Sequence, residues 1–86
     1  MDADLLSFIL RSKVRRVVLS KLGKGVATPS MLSSSLNLDK THVSRALKEL
    51  SERDLVKMLT SSRKGRLYDI TSRGESILKE LEELRI

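Results

Sequence analysis

No cysteine occurs in the 86 residues, which excludes disulfides, thiolate metal sites and cysteine nucleophiles together. Nothing therefore points to an oxidising compartment. Aromatic residues make up only 2%, Phe8 and Tyr68. Single-strand binders and RNA-reading sheets stack bases on exposed rings, and this chain lacks that platform. The one histidine, His42, has no cysteine or second histidine with which to share a metal, so no metal site is expected. No apolar run approaches the ~20 residues that would span a bilayer. Asp2 and Asp4 stand where a secretory signal would carry positive charge, and Leu5 to Leu10 is too short for its apolar segment. A soluble cytoplasmic protein with no membrane partner is expected.

Sets of residues that carry catalysis are missing as well. Ser33-Ser34-Ser35 has no base beside it other than a lone, unsupported His42, so a serine nucleophile is not expected. Gly23-Lys24-Gly25 lacks the Gly-Lys-Ser/Thr signature of a phosphate loop and is explained by a helix stop. Glu80, Glu82 and Glu83 sit on an amphipathic stretch with Ile77, Leu81 and Leu84, which makes them a solvated face rather than an acid–base pair. Neither an enzyme nor a cofactor is expected.

Charge is what the chain has in excess. The net value is +6 and the isoelectric point is near 10.1, which favours a polyanionic partner. Residues 1–25 hold six Lys/Arg against two Asp/Glu, residues 39–66 hold eight against four, and 67–86 reverse to three against five. Between them, 26–38 carries no charge. The base excess thus lies in the first two-thirds of a chain that is long enough for one domain, residues 1–86.

The hydrophobic period organises that domain. Leu6, Leu10, Val14, Val17 and Val18 predict helix over Ala3 to Leu22, with Ser12 as an N-cap that divides it in two. Gly23 and Gly25 stop it. Thr28 caps a second segment with Pro29 at its first position, where a missing N–H costs nothing, and this helix ends near Leu36-Asn37-Leu38 because asparagine tolerates a left-handed backbone. A connection of about three residues then joins it to a third helix, a geometry suited to two helices crossing steeply. Asp39 is expected to cap that helix, about 39–53, with its carboxylate on the positive end of the dipole. Val43, Ala46, Leu47 and Leu50 form its inward stripe. Next, Leu55 to Thr60 and Leu67 to Ile70 read as two strands of a hairpin within about 55–70, around the polar loop Ser61 to Arg66 with its Gly65. Thr71 and Glu75 open a last helix, about 71–84, whose apolar side is Ile77, Leu78, Leu81 and Leu84.

This order predicts an α+β, mostly helical fold of winged helix-turn-helix type: a three-helix core, a two-stranded β-hairpin wing and a C-terminal helix. With the stripe turned inward, the third helix presents Lys40, Thr41, His42, Ser44, Arg45 and Lys48. These are mainly donors, suited to phosphates and to the acceptors on guanine. Arg45 is the candidate for base contact, since a guanidinium bonds guanine O6 and N7 together. Thr41, His42 and Ser44 suit a base edge or a phosphate, and Lys40 and Lys48 a phosphate. A second basic cluster, Arg63, Lys64 and Arg66, surrounds Gly65 at the hairpin tip, where no core needs it. Arginine there suits a narrow, electronegative minor groove. Each cluster alone also fits a solvated surface; together they point to double-stranded DNA.

From about Ser12 to Leu81 the chain resembles the archaeal and bacterial winged-helix transcription regulators of the broad MarR/ArsR-like superfamily. The resemblance is carried by Thr28-Pro29-Ser30-Met31-Leu32, by His42-Val43-Ser44-Arg45-Ala46-Leu47-Lys48-Glu49-Leu50, by Leu55-Val56, and by the run from Arg63 to Gly74. It is nearest to short archaeal members with a segment like Leu10-Arg11-Ser12-Lys13. It implies that Ser44 and Arg45 touch DNA from the recognition helix, that Arg63, Lys64 and Arg66 do so from the wing, and that terminal helices form a two-fold dimer. Two departures stand against a sensory role: the absence of the cysteines used by arsenic-type sensors, and a length that leaves little room for a ligand pocket. The expected function is a sequence-selective, nucleoid-associated regulator. Its rivals are a winged-helix interaction module within a larger assembly and a non-specific chromatin-type DNA-binding protein.

Overall fold

The structure, a computed structural model, describes residues 2–63 and 65–84. The first helical segment is two helices, α1 (Ala3–Leu10) and α2 (Lys13–Leu22). Each is started by a side-chain oxygen: the Asp2 carboxylate accepts from the Leu5 N–H at 3.1 Å, and Ser12 Oγ accepts from the Arg15 N–H at 3.2 Å. The break at Ser12 resets the helical phase, which corrects the expected stripe. Leu10 falls outside at 50% exposure, whereas Leu5, Leu6, Phe8 and Ile9 are buried. In α2 the buried residues are Val18, Leu19 and Leu22.

Gly23 ends α2 in ordinary right-handed geometry (φ −63°), so a left-handed cap is not its role. A Cβ there would run into the Leu78 side chain, so the glycine lets the last helix approach. Thr28 then starts α3 (Pro29–Leu36) by accepting from the Met31 N–H at 3.1 Å, and Asn37 closes it with φ 55° and ψ 49°. Helix α4 (Lys40–Glu52) follows after the three connecting residues 37–39. Asp39 occupies the N-cap position, but its side chain makes no cap hydrogen bond. Its carboxylate lies instead 4.0 Å from His42 Nδ1, on the solvent side.

The hairpin lies within the expected span, but its strands reach further towards the tip than expected. Strands β1 (Val56–Ser62) and β2 (Gly65–Ile70) pair antiparallel from Val56↔Ile70 to Ser62↔Gly65. Ser61, Ser62, Gly65 and Arg66 are therefore ladder residues rather than loop. The outer hairpin is exposed, so no alternation of burial marked those polar residues as strand. A register shift between Met58 and Thr60 leaves Leu59 as a bulge, and Met58 and Leu59 are both exposed. Ala27 adds an isolated bridge on the other edge of β2: its N–H donates to the Tyr68 carbonyl (3.1 Å) and its carbonyl accepts from the Tyr68 N–H (2.9 Å). The wing is thus tied to the start of α3.

Helix α5 (Ser72–Glu83) begins at Thr71, whose Oγ1 accepts from the Gly74 N–H at 3.0 Å and donates to the Asp54 carbonyl at 2.6 Å. Ile77 and Leu81 pack inward with Leu78 partly buried, while Leu84 is 55% exposed. One apolar core joins every helix to the base of the hairpin, with Leu19, Leu22, Leu32, Leu47, Leu50 and Leu55 at its centre. Among the described residues, no helix is long and apolar enough to cross a membrane.

Candidate nucleic-acid interface

The outward face of α4 follows from its inward one. Val43, Ala46, Leu47 and Leu50 are at most 2% exposed. At ~3.6 residues per turn, burying that stripe leaves Lys40, Thr41, His42, Ser44, Arg45 and Lys48 on the solvent side, and all six are exposed.

The helix faces the wing across an open groove of about 1100 Å³. From α4 it is lined by Lys40, Thr41, Ser44, Arg45 and Lys48, with Ser51 and Glu52 further along. From the hairpin come Arg63, Gly65 and Arg66, and from the entry to α3 come Thr28, Pro29 and Ser30. Leu47 and Tyr68 contribute apolar surface between these walls. Five of the sequence-selected cations and donors on α4 are therefore brought together with two from the wing. His42 is not among them, being turned to the flank near Asp39. Lys64 lies outside the described residues.

Five cations line the groove against one carboxylate, Glu52. None of the five forms an ion pair among the described residues. Unpaired cations between low-dielectric walls concentrate positive potential, which attracts an anion of extended shape. Among the described residues there is no group of three or more potential metal ligands.

Behind the groove a polar clasp joins α4 to the first two helices. Arg15 holds Glu49 with both arms, Nε to Oε1 at 3.2 Å and Nη2 to Oε2 at 3.1 Å. Its Nη1 donates to the Phe8 carbonyl at 2.9 Å. The guanidinium carbons of Arg15 and Arg53 lie 4.1 and 4.3 Å from the centroid of the Phe8 ring. The hydrogen bond from Arg15 holds the Glu49 carboxyl below its ordinary value of 4.5; burial opposes it, and the charges of Arg15 and then Arg45 add lesser pulls in the same direction as the hydrogen bond. Sequence reasoning missed this clasp, as well as the approach of Thr28 and Ser30 to the groove. The Thr-Pro-Ser start of α3 was a readable signal for the latter; for the clasp, residues 34 positions apart gave none.

Three comparisons bear on this arrangement. The chain is 33% identical over 86 residues to the uncharacterized HTH-type transcriptional regulator YdgG of Bacillus subtilis (strain 168), a match covering 95% of this chain and 56% of that protein. The chain thus spans little more than half of that relative. Among solved structures, a mutant MarR from E. coli complexed with operator DNA superposes with a TM-score of 0.77 at 24% identity, covering 92% of this chain and 59% of that one. The MarR family transcription regulator SP03579 superposes with a TM-score of 0.75 at 26% identity, over 85% of this chain and 52% of that one. The named relatives are transcription regulators rather than enzymes, and the fold is the MarR-like winged helix. With its family model matched across residues 3–86, the chain belongs to the HVO_A0261 N-terminal domain family.

Proposed function

We propose that this chain is a sequence-selective regulator of transcription that binds double-stranded DNA, with α4 in the major groove and the wing on the minor groove or the backbone. The observation that carries the proposal is the single groove in which Lys40, Thr41, Ser44, Arg45 and Lys48 face Arg63 and Arg66. The major groove admits an α-helix, and guanine offers O6 and N7 together to one guanidinium. Arg45 is assigned to that contact. Thr41 and Ser44 serve a base edge or a phosphate, and Lys40 and Lys48 neutralise phosphates and set register. Arg63 and Arg66 serve the wing contact, joined by Lys64 on sequence grounds. His42 is assigned to a flanking phosphate, consistent with its exposure beside Asp39.

The chain works in this proposal as a homodimer through its terminal helices, supported by the exposed Leu10 of α1 and Leu84 of α5. In this proposal it acts on the nucleoid in the cytoplasm.

Selection of bound duplexes from a random pool tests the proposal. Enrichment of a motif, two-fold symmetric for a dimer, is the expected result. Binding without enrichment would make the protein a packaging factor. No binding even at low salt would overturn the DNA reading and leave the interaction module.

A further inference from the structure

Glu49 follows Arg45 by four residues on α4, the spacing at which side chains of opposite charge meet along a helix. Arg45 lines the groove, yet its neighbour's carboxylate is taken from the other side. Both Glu49 oxygens are held by Arg15 of α2, at 3.2 and 3.1 Å. Arg15 is itself immobilised by the Phe8 carbonyl at 2.9 Å and by the Phe8 ring, and its side chain is only 19% exposed. Arg45 is exposed and forms no ion pair among the described residues.

We propose that Arg15 is a positioning residue for DNA recognition: by occupying both oxygens of Glu49 it stops that carboxylate from pairing with Arg45, and so keeps the Arg45 guanidinium free for bases. The proposal rests on the assignment of Arg45 to base contact.

The competition favours Arg15 for two reasons. A planar fork makes two parallel bonds to a carboxylate. That fork is also held in place already, so little freedom is lost on pairing. Arg45 would have to give up side-chain freedom to reach Glu49, in the less favourable order with the carboxylate on the C-terminal side. Glu49 is an anion at neutral pH, as an ordinary glutamate is, and the contacts with Arg15 hold its carboxyl below the ordinary value. The charge of Arg45 is felt there too, so the two groups are within electrostatic range. Without Arg15, Glu49 turns to Arg45 and neutralises it, and the protein meets the phosphates with one positive charge fewer.

The test is the affinity of the 86-residue chain for its selected duplex, measured by fluorescence anisotropy for four variants. Arg15→Ala is expected to weaken binding about fivefold, more than the roughly twofold worth of one exposed helical ion pair, because the protein also meets the duplex with one positive charge fewer. Glu49→Gln alone should stay within about twofold of the unmodified chain, since it removes the competitor. The double variant Arg15→Ala/Glu49→Gln should return to the level of Glu49→Gln. A purely structural role for Arg15 predicts the opposite, because the clasp is still broken in the double variant. Failure of the rescue therefore overturns the proposal. Arg45→Ala separates the two levels: if it binds normally, the assignment of Arg45 fails; if it binds weakly and no rescue occurs, only the role of Arg15 fails. Circular dichroism checks that each variant is folded, and Arg15→Gln, which keeps one donor for the Phe8 carbonyl, replaces Arg15→Ala should the latter not fold.

Discussion

Arg45→Ala is expected to weaken binding to the selected duplex by about 1–3 kcal/mol and to flatten the base preference at one position of the site. The side chain is exposed in mid-helix on the face opposite Val43 and Leu47, so its removal leaves the core untouched. A loss of that size reflects two directional bonds to one base rather than one exposed charge. A phosphate contact would instead weaken every sequence alike. Titrations against the selected duplex and against versions altered base by base distinguish the two. Unchanged affinity and unchanged preference would remove Arg45 from the reading role.

Gly74→Ala is expected to destabilise the fold by about 3 kcal/mol, at the upper end for adding one methyl group to a packed site. In an exposed helix the same change would be favourable by roughly 1 kcal/mol. Here the added carbon would fall on the Leu55 carbonyl oxygen and stand 2.7 Å from Ile70 Cγ1. Neither neighbour can give way easily. The Leu55 carbonyl already accepts from the Thr71 N–H at 3.0 Å, and Leu55 itself is fully buried. The turn is fixed from the other side by Thr71, bonded to both Gly74 and Asp54. For a domain of this size the midpoint of thermal unfolding should fall by roughly 12–24 °C. A fall below about 4 °C would mean that the helix shifts freely on the hairpin.

Side-chain periodicity and local caps made most of the fold legible. Ser12, Thr28, Asn37 and Thr71 each act within a few residues of themselves, and each ends or starts a helix where the sequence predicted. The outward side of α4 was readable for a related reason, since a buried stripe leaves only one face for Lys40, Ser44 and Arg45. Where a position answers to distant partners, the sequence was silent. Gly74 looks like an unremarkable helix residue until Leu55 lies against it. The pairing of Ala27 with Tyr68 and the hold of Arg15 on Glu49 span loops that no window of the sequence covers. Leu10 was misjudged because the cap at Ser12 shifts the helical phase, and Asp39 because its carboxylate turns to solvent beside His42. The outer ends of the two strands were not legible, since exposed polar strand and polar loop have the same composition.

The central claim is that a positively charged groove between α4 and the wing binds the DNA duplex. Its most direct measurement is the affinity for a duplex as a function of salt, for the unmodified chain and for Lys48→Ala. If Lys40, Lys48, Arg63 and Arg66 each neutralise a phosphate, the logarithm of affinity should fall against the logarithm of salt with a slope of about −3.6 for each bound chain, and Lys48→Ala should make it shallower by about 0.9 per chain. A slope near zero, or one that Lys48→Ala leaves unchanged, would contradict the account.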